Sequence, residues 1–576
     1  METQRDNSPS RNKVSTSLQR RTRRLIRCQQ DRVRVCLYAV APAIGMFVSV
    51  RVGRHAGFDF LNRRWFMGWL ILRDIEDMPG ALQRLAFAPY VNDVATTSVA
   101  VAGIWWLGPA ILGALHGLIC PLVYDIIRSV APDFGKGLSA LAASLSLSSP
   151  LVFVHLGRET GHILAAVLLV AAVHHLAVFN SRANVLWLAC LLVLALLIKL
   201  SSIFTVGVVL LVVAFSLPWR KGLQLLLHFA LIAGIAVALL SIVLWRSGGE
   251  RYISLGDLVR RPNYFLFWLT IILVSNLVFY VFGLRKRPRS HSGAVSYLQS
   301  CGLLLVVVAC LIVVARFPFL SDPAFRPDSW TVALRRAFST GQFASDVSLG
   351  SGSLRDLEYD YYDVGKRLSL GVLVVAVVSL FGARRADAGQ RIGRQIALAP
   401  GAALAMSMLA YGYVRYAVEA LVMVPLGLAV LLGTFGVRTA AKQLALGLGL
   451  CIYLLPAIGL GDWRGYDVQT GRPGIGAIVD TKEREVLSAL IPSDAPVFFF
   501  GRLVTWVAPV VDRSDPTWFV KPLGPEEVGN SQAILFYELE TASELDKFTT
   551  RGWILSDCQA LRFENAALGW CALSAD

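Results

Sequence analysis

Residues 53–97 read GRHAGFDFLNRRWFMGWLILRDIEDMPGALQRLAFAPYVNDVATT, and how this stretch relates to its neighbours decides the fold. It holds five acids (Asp59, Asp74, Glu76, Asp77, Asp93) and five arginines (Arg54, Arg63, Arg64, Arg73, Arg84). That is too much charge for a hydrocarbon core, yet the stretch is too rich in Trp, Phe and Leu for a simple solvated loop. It reads as a loop lying on a membrane. Before it comes an apolar run, Val35–Val50, flanked by Arg34 and Arg51 and lacking a convincing small-residue cleavage site, so it is expected to remain as an uncleaved first span.

Beyond the loop, apolar runs recur near 98–127, 136–154, 162–179, 185–198, 203–217 and 223–245. More follow near 263–283, 296–315, 368–382, 395–411, 416–436 and 441–461, for about thirteen spans separated by short charged breaks. The chain of 576 residues is 55% hydrophobic and only 16% charged, which excludes an ordinary globular protein. The expected fold is therefore an all-α polytopic membrane protein with a small soluble α/β domain after it.

Charge gives the orientation. Up to Arg34 the chain carries ten Lys/Arg against three acids, whereas from Asp462 onward it carries ten against seventeen. The net charge of +16 is thus a topological bias rather than a nucleic-acid footprint, and no nucleic-acid partner is expected. An odd number of spans puts the two ends on opposite sides. Arg220 and Lys221, the cluster from Arg285 to Arg289, Arg384 to Arg394, and Arg438 with Lys442 fall on the cytoplasmic side with the N-terminus, nearly without acids. The long, charge-balanced loops at 53–97 and 316–365 fall opposite. Residues 1–33 should be a disordered basic cytoplasmic tail, 34–461 the membrane domain, and 462–576 a non-cytoplasmic α/β domain. That last domain has a helix-like stretch at Lys482–Leu490 and strand-like runs at Pro496–Phe500 and Ala533–Tyr537. Most of the nine cysteines sit singly in apolar runs and form no metal pattern. Cys558 and Cys571 lie together in the tail, where an oxidising compartment would join them in a disulfide.

Four places carry candidate chemistry. Residues 148–164 read SSPLVFVHLGRETGHIL, a tight turn with Arg158 and Glu159 at its apex, although a charge pair fixing helix ends would look the same. Lys199, in Leu197-Ile198-Lys199-Leu200-Ser201-Ser202, stands near a span end, where lysines ordinarily snorkel. Arg415, in Tyr411-Gly412-Tyr413-Val414-Arg415-Tyr416, either holds a phosphate or anchors an aromatic belt. The fourth is Asp59 in the surface loop. Under one topology Asp59, Arg158, Lys199 and Arg415 all come out near one membrane face. Carboxylates beside guanidinium groups there suit a reaction between a lipid phosphate and a polar acceptor.

In this order of features the chain resembles the multi-span glycosyltransferases of the GT-C fold, which use polyprenyl-phosphate sugars. These include the protein O-mannosyltransferases and the aminoarabinose transferases of lipid A. The features are a first span, an acidic loop lying on the membrane, Ser149-Pro150 followed by the Arg158-Glu159 turn, Lys199-Leu200-Ser201 after an apolar run, and Arg415-Tyr416 followed by Pro425 in an apolar span. The resemblance covers about residues 35–460 and rests on short motifs. It implies a GT-C architecture in the cell envelope, in a bacterial inner membrane, with the soluble domain outside.

The resemblance also implies roles. Asp59 matches the acid after the first span and would be the general base. The family often has Asp-Glu where this chain has Asp59-Phe60, which keeps Asp93 and the Asp74/Glu76/Asp77 cluster as alternatives. Arg158 matches the arginine of the Arg-Glu turn. A second arginine often found a few residues later is absent, with Gly161 and His162 nearby instead. Arg158, Lys199 and Arg415 would bind the donor phosphate. The expected activity is transfer of a sugar from a polyprenyl-phosphate donor to a lipid, glycan or protein acceptor. It would proceed by a single inverting displacement, since no second carboxylate is recognisable as a nucleophile. A divalent metal is compatible with this scheme, but no residue pattern marks one. A transporter or flippase of a lipid-linked saccharide would use the same arginines without a base; internal repeats would favour it, and no clear duplication is seen. A non-catalytic scaffold is a third reading.

Overall fold

The computed structural model describes residues 32–52, 106–148, 161–199, 202–246, 302–308, 388–411, 418–434 and 441–448 of the apolar region. In the tail it describes 481–500, 507–511, 516–519, 523–562 and 567–576. The basic stretch up to residue 31 and the loops at 53–97 and 316–365 lie outside the described residues. A backbone in lipid has no water to bond, so apolar runs satisfy their own amides as helices. The helices are α1 (Arg32–Val52), α2 (Leu107–Gly117), α3 (Ile119–Val130), α4 (Lys136–Leu145), α5 (His162–Phe179) and α6 (Val185–Ile198). They continue as α7 (Ile203–Ser216), α8 (Trp219–Arg246), α9 (Ala388–Tyr411) and α10 (Val418–Thr434). Arg32–Val50, Leu107–Val130 and His162–Phe179 are long and apolar enough to cross a membrane, and α6, α7 and α10 are shorter apolar helices. The chain is an integral membrane protein.

Two apolar runs fold differently from their sequence outline. Within the described part of the run at 98–127 two helices meet at Leu118, and the described part of the run at 136–154 includes a helix over Lys136–Leu145. In α4 the Ser139 and Ser144 hydroxyls donate to the carbonyls of Gly135 and Ala140, competition with the helix ladder that Leu and Val cannot offer. Ten residues rise about 15 Å, half a hydrocarbon core.

Close packing follows small residues. Helices α1 and α2 run antiparallel with their backbones touching. A β-carbon placed on Gly45 would lie 2.2 Å from the Gly113 carbonyl oxygen, and one on Gly117 would lie 2.4 Å from that of Ala41. Between segments as apolar as lipid, such close backbone approach supplies the van der Waals contact that holds them.

One end of the bundle is marked by polar clasps. Asp125 near the end of α3 meets Arg34 Nε at 2.8 and 2.9 Å, accepts from Tyr38 Oη at 3.0 Å, and lies 3.3 Å from His174 Nε2. Ser216 Oγ at the end of α7 donates to Gln395 Oε1 near the start of α9 at 2.6 Å, and Lys221 Nζ donates to the Ala183 carbonyl at 3.2 Å. Arg128, Arg182, Arg220, Arg394 and Lys442 belong to helix ends on this same side, which is the basic end of the bundle.

The tail forms a separate five-stranded sheet: β1 (Pro496–Phe500), β2 (Thr517–Phe519), β3 (Gln532–Tyr537), β4 (Trp553–Arg562) and β5 (Ala567–Ala575), in the order β2-β1-β3-β5-β4. Strand β1 pairs parallel with β2 and β3, and β5 pairs antiparallel with β3 and β4. Before β1 lies a helix over Thr481–Ala489. The central strands β1 and β3 are nearly continuous apolar runs because both their faces are covered. Phe498 anchors one face, stacked on Phe519 at 5.1 Å and edge-on to Phe548 and Trp553 at 5.5 and 5.9 Å. Cys558 on β4 and Cys571 on β5 are joined in a disulfide where Asp557 and Cys558 together oppose one residue of β5.

Candidate functional site

At the end of the bundle opposite the basic one, four helix termini converge. Helix α6 has 14 residues and so rises about 21 Å, roughly 9 Å less than a hydrocarbon core. Helix α7 has the same length, so the turn joining them at Lys199–Ser202 lies between two short apolar helices. That turn is closed by its own backbone. The Lys199 amide donates to the Ala195 carbonyl at 3.2 Å, and the Ser202 amide donates to the Lys199 carbonyl at 3.0 Å. Lys199 itself leaves the helix in an extended conformation, φ −146° and ψ 101°.

Against this turn packs the start of α5. Gly161, its N-cap, has φ 75° and ψ −15°, the left-handed region that favours glycine. A β-carbon there would sit 3.1 Å from the Ile198 carbonyl oxygen and 3.7 Å from Lys199 Cβ. Glycine therefore serves twice: it makes the turn and it lets the two chain segments touch.

Glu419, in the first turn of α10, holds the convergence together. It is fully buried, as are Ser202 and, at 3% exposure, His162. One carboxylate oxygen, Oε1, accepts from Ser202 Oγ at 2.5 Å and lies 2.8 Å from His162 Nδ1. The second oxygen, Oε2, has no hydrogen-bond partner among the described residues. Lys199 is near enough for its charge to act on this carboxylate. A carboxylate, an imidazole, a hydroxyl and an ammonium, drawn from positions up to 257 residues apart, thus meet in one cluster. Among the described residues no group of three or more His, Cys, Asp or Glu side chains could hold a metal ion.

Of the sequence-derived candidates, Lys199 is in this cluster. Asp59, Asp74, Asp93, Arg158 and Arg415 lie outside the described residues. Glu419, Ser202 and His162 as a linked group were not legible as a site, though one signal was there to use. Glu419 is the single acid in the apolar helix Val418–Thr434, and an ionisable residue within a span marks function or a buried partner.

No protein family matches the chain, and no curated protein is similar to it in sequence. Among solved structures it is similar to two crystal structures of ArnT from Cupriavidus metallidurans, one in the apo state and one bound to undecaprenyl phosphate. Identity is 13% and 14%, the TM-score is 0.35 for each, and the likeness covers 93% of this chain and 97% of that chain. A likeness at that TM-score carries no weight for fold or activity.

Proposed function

We propose that the chain is a membrane glycosyltransferase of GT-C type. It would move a sugar from a polyprenyl-phosphate donor to a lipid, glycan or protein acceptor at the end of the bundle where Lys199 lies. The basic end faces the cytoplasm, about thirteen spans cross the membrane, and residues 462–576 lie outside. The observation that carries the reading is the convergence at Glu419. In sequence Arg158 precedes His162 by four residues, Lys199 precedes Ser202 by three, and Arg415 precedes Glu419 by four. All three cations chosen from motifs therefore stand, in sequence, within four residues of a member of one buried cluster. Cations at these sequence positions suit a lipid phosphate, whose negative charge grows as the sugar departs.

In this reading Asp59 takes the proton of the acceptor hydroxyl as the new glycosidic bond forms, and the lipid phosphate leaves with its charge held by Arg158, Lys199 and Arg415. No step requires a metal. The test is transfer of label from radiolabelled polyprenyl-phosphate sugars in vesicles carrying the protein. Asp59→Asn should lower transfer about a hundredfold while donor binding persists. Loss in Asp93→Asn or Asp74→Asn instead would move the base to that residue. Label that crosses the bilayer on intact lipid, with no transfer in any form of the protein, would establish the flippase reading in its place.

A further inference from the structure

The Glu419 cluster has a feature that plain packing does not explain. A buried carboxylate, one of whose oxygens has no hydrogen-bond partner among the described residues, is a costly way to join three helices, and an apolar side chain would fill the same space without that cost. What the carboxylate does, and an apolar group cannot, is fix direction. Its Oε1 receives the Ser202 hydroxyl and faces His162 at once, so the turn ending at Ser202 and the helix starting at His162 are held to the same atom. The Ser202 amide is bonded in turn to the Lys199 carbonyl, and the opposing Gly161 leaves no slack beside Ile198 and Lys199. Lysine presents a point charge on a flexible stem, so its placement depends on how firmly its backbone is held.

Resting on the polyprenyl-phosphate reading above, we propose that Glu419 is a positioning residue for phosphate binding: through Ser202 and His162 it locks the Lys199 turn, so that the ammonium meets the donor phosphate at a fixed place. Glu419 itself does not touch the donor. Its removal should therefore weaken donor binding more than it slows the chemical step.

The experiment uses the full chain in lipid nanodiscs, with a short-chain polyprenyl phosphate as probe. Binding is followed by tryptophan fluorescence, and transfer kinetics are measured in parallel. Glu419→Gln is expected to raise the probe Kd about tenfold, and the donor KM with it, while kcat changes less than about threefold. Ser202→Ala removes only the hydroxyl and should shift Kd in the same direction by a smaller factor, which keeps the test open if Glu419→Gln fails to fold. Asp125→Asn is the control: it breaks a partly buried cluster at the opposite end, and it should lower thermal stability while leaving Kd unchanged. Unchanged Kd in both Glu419→Gln and Ser202→Ala would overturn the proposal, as would equal weakening in Asp125→Asn. Failure of the unsubstituted protein to bind the probe would instead overturn the polyprenyl-phosphate reading itself.

Discussion

Gly161 offers the sharpest test of the site's architecture, because two separable costs meet there. At φ 75° an alanine would occupy the left-handed region, which costs roughly 1–2 kcal/mol for a residue with a β-carbon. That β-carbon would also lie 3.1 Å from the Ile198 carbonyl oxygen and 3.3 Å from Ile198 Cγ2, so the neighbouring turn must give by a few tenths of an ångström. Overpacking of this kind adds about 1 kcal/mol, which puts Gly161→Ala at about 2–3 kcal/mol. Asparagine tolerates the left-handed region, so Gly161→Asn keeps the contact cost and sheds most of the backbone cost, for a loss of about 1 kcal/mol. Valine, branched at the β-carbon, should be worse than alanine. Stability is to be read by reversible unfolding in mixed micelles, followed by tryptophan fluorescence. Alanine behaving like glycine, or asparagine behaving like valine, would refute both the conformation and the contact. Because the strained neighbours are Ile198 and Lys199, donor affinity should fall in the same order.

Other outcomes follow from particular contacts. Asp125→Asn should cost about 2 kcal/mol in the same unfolding assay, since it leaves Arg34, Tyr38 and His174 sharing a weaker acceptor; stability equal to the unsubstituted protein would remove the clasp from the account. Reducing the Cys558–Cys571 bridge should destabilise the tail by about 3 kcal/mol, and mass analysis finding both thiols free in protein isolated without reductant would exclude the bridge. A reporter active only outside the cytoplasm should be active when fused after Asp576; activity from fusions within residues 284–292 would overturn the orientation.

Among the described residues, helices were legible where apolar runs are uninterrupted. The runs at 185–198, 203–217 and 416–436 coincide within two residues with Val185–Ile198, Ile203–Ser216 and Val418–Thr434, because hydropathy and helix geometry agree there. The strand-like runs at Pro496–Phe500 and Ala533–Tyr537 coincide likewise with two central strands, whose sequences are apolar but for Gln532. In the 136–154 run the described helix covers Lys136–Leu145, with Ser139 and Ser144 bonded back to the carbonyls four residues earlier, and most of the run beyond Ser148 lies outside the described residues. The edge strands Thr517–Phe519 and Trp553–Arg562 escaped notice because they take their pairing from distant partners rather than from their own pattern. The site was half legible. Lys199 announces itself by being charged between apolar runs, whereas Glu419 acquires its meaning from His162 and Ser202, 257 and 217 residues away, and no local pattern encodes such a distance.

The bond between Arg34 and Asp125 also dates the assembly of the bundle. The two residues are 91 positions apart, and the acid comes second. At a synthesis rate of roughly 5–20 residues per second, the first helix waits about 5–18 s in the bilayer before its partner has been made. For most of that interval its Gly45 face has no Gly113 to pack against, and throughout it the Arg34 guanidinium has no Asp125 to pair with. The first helix is therefore the earliest to be inserted but must wait for two later helices to be locked, and the arrival of α3 converts it from a tethered segment into a wall of the bundle.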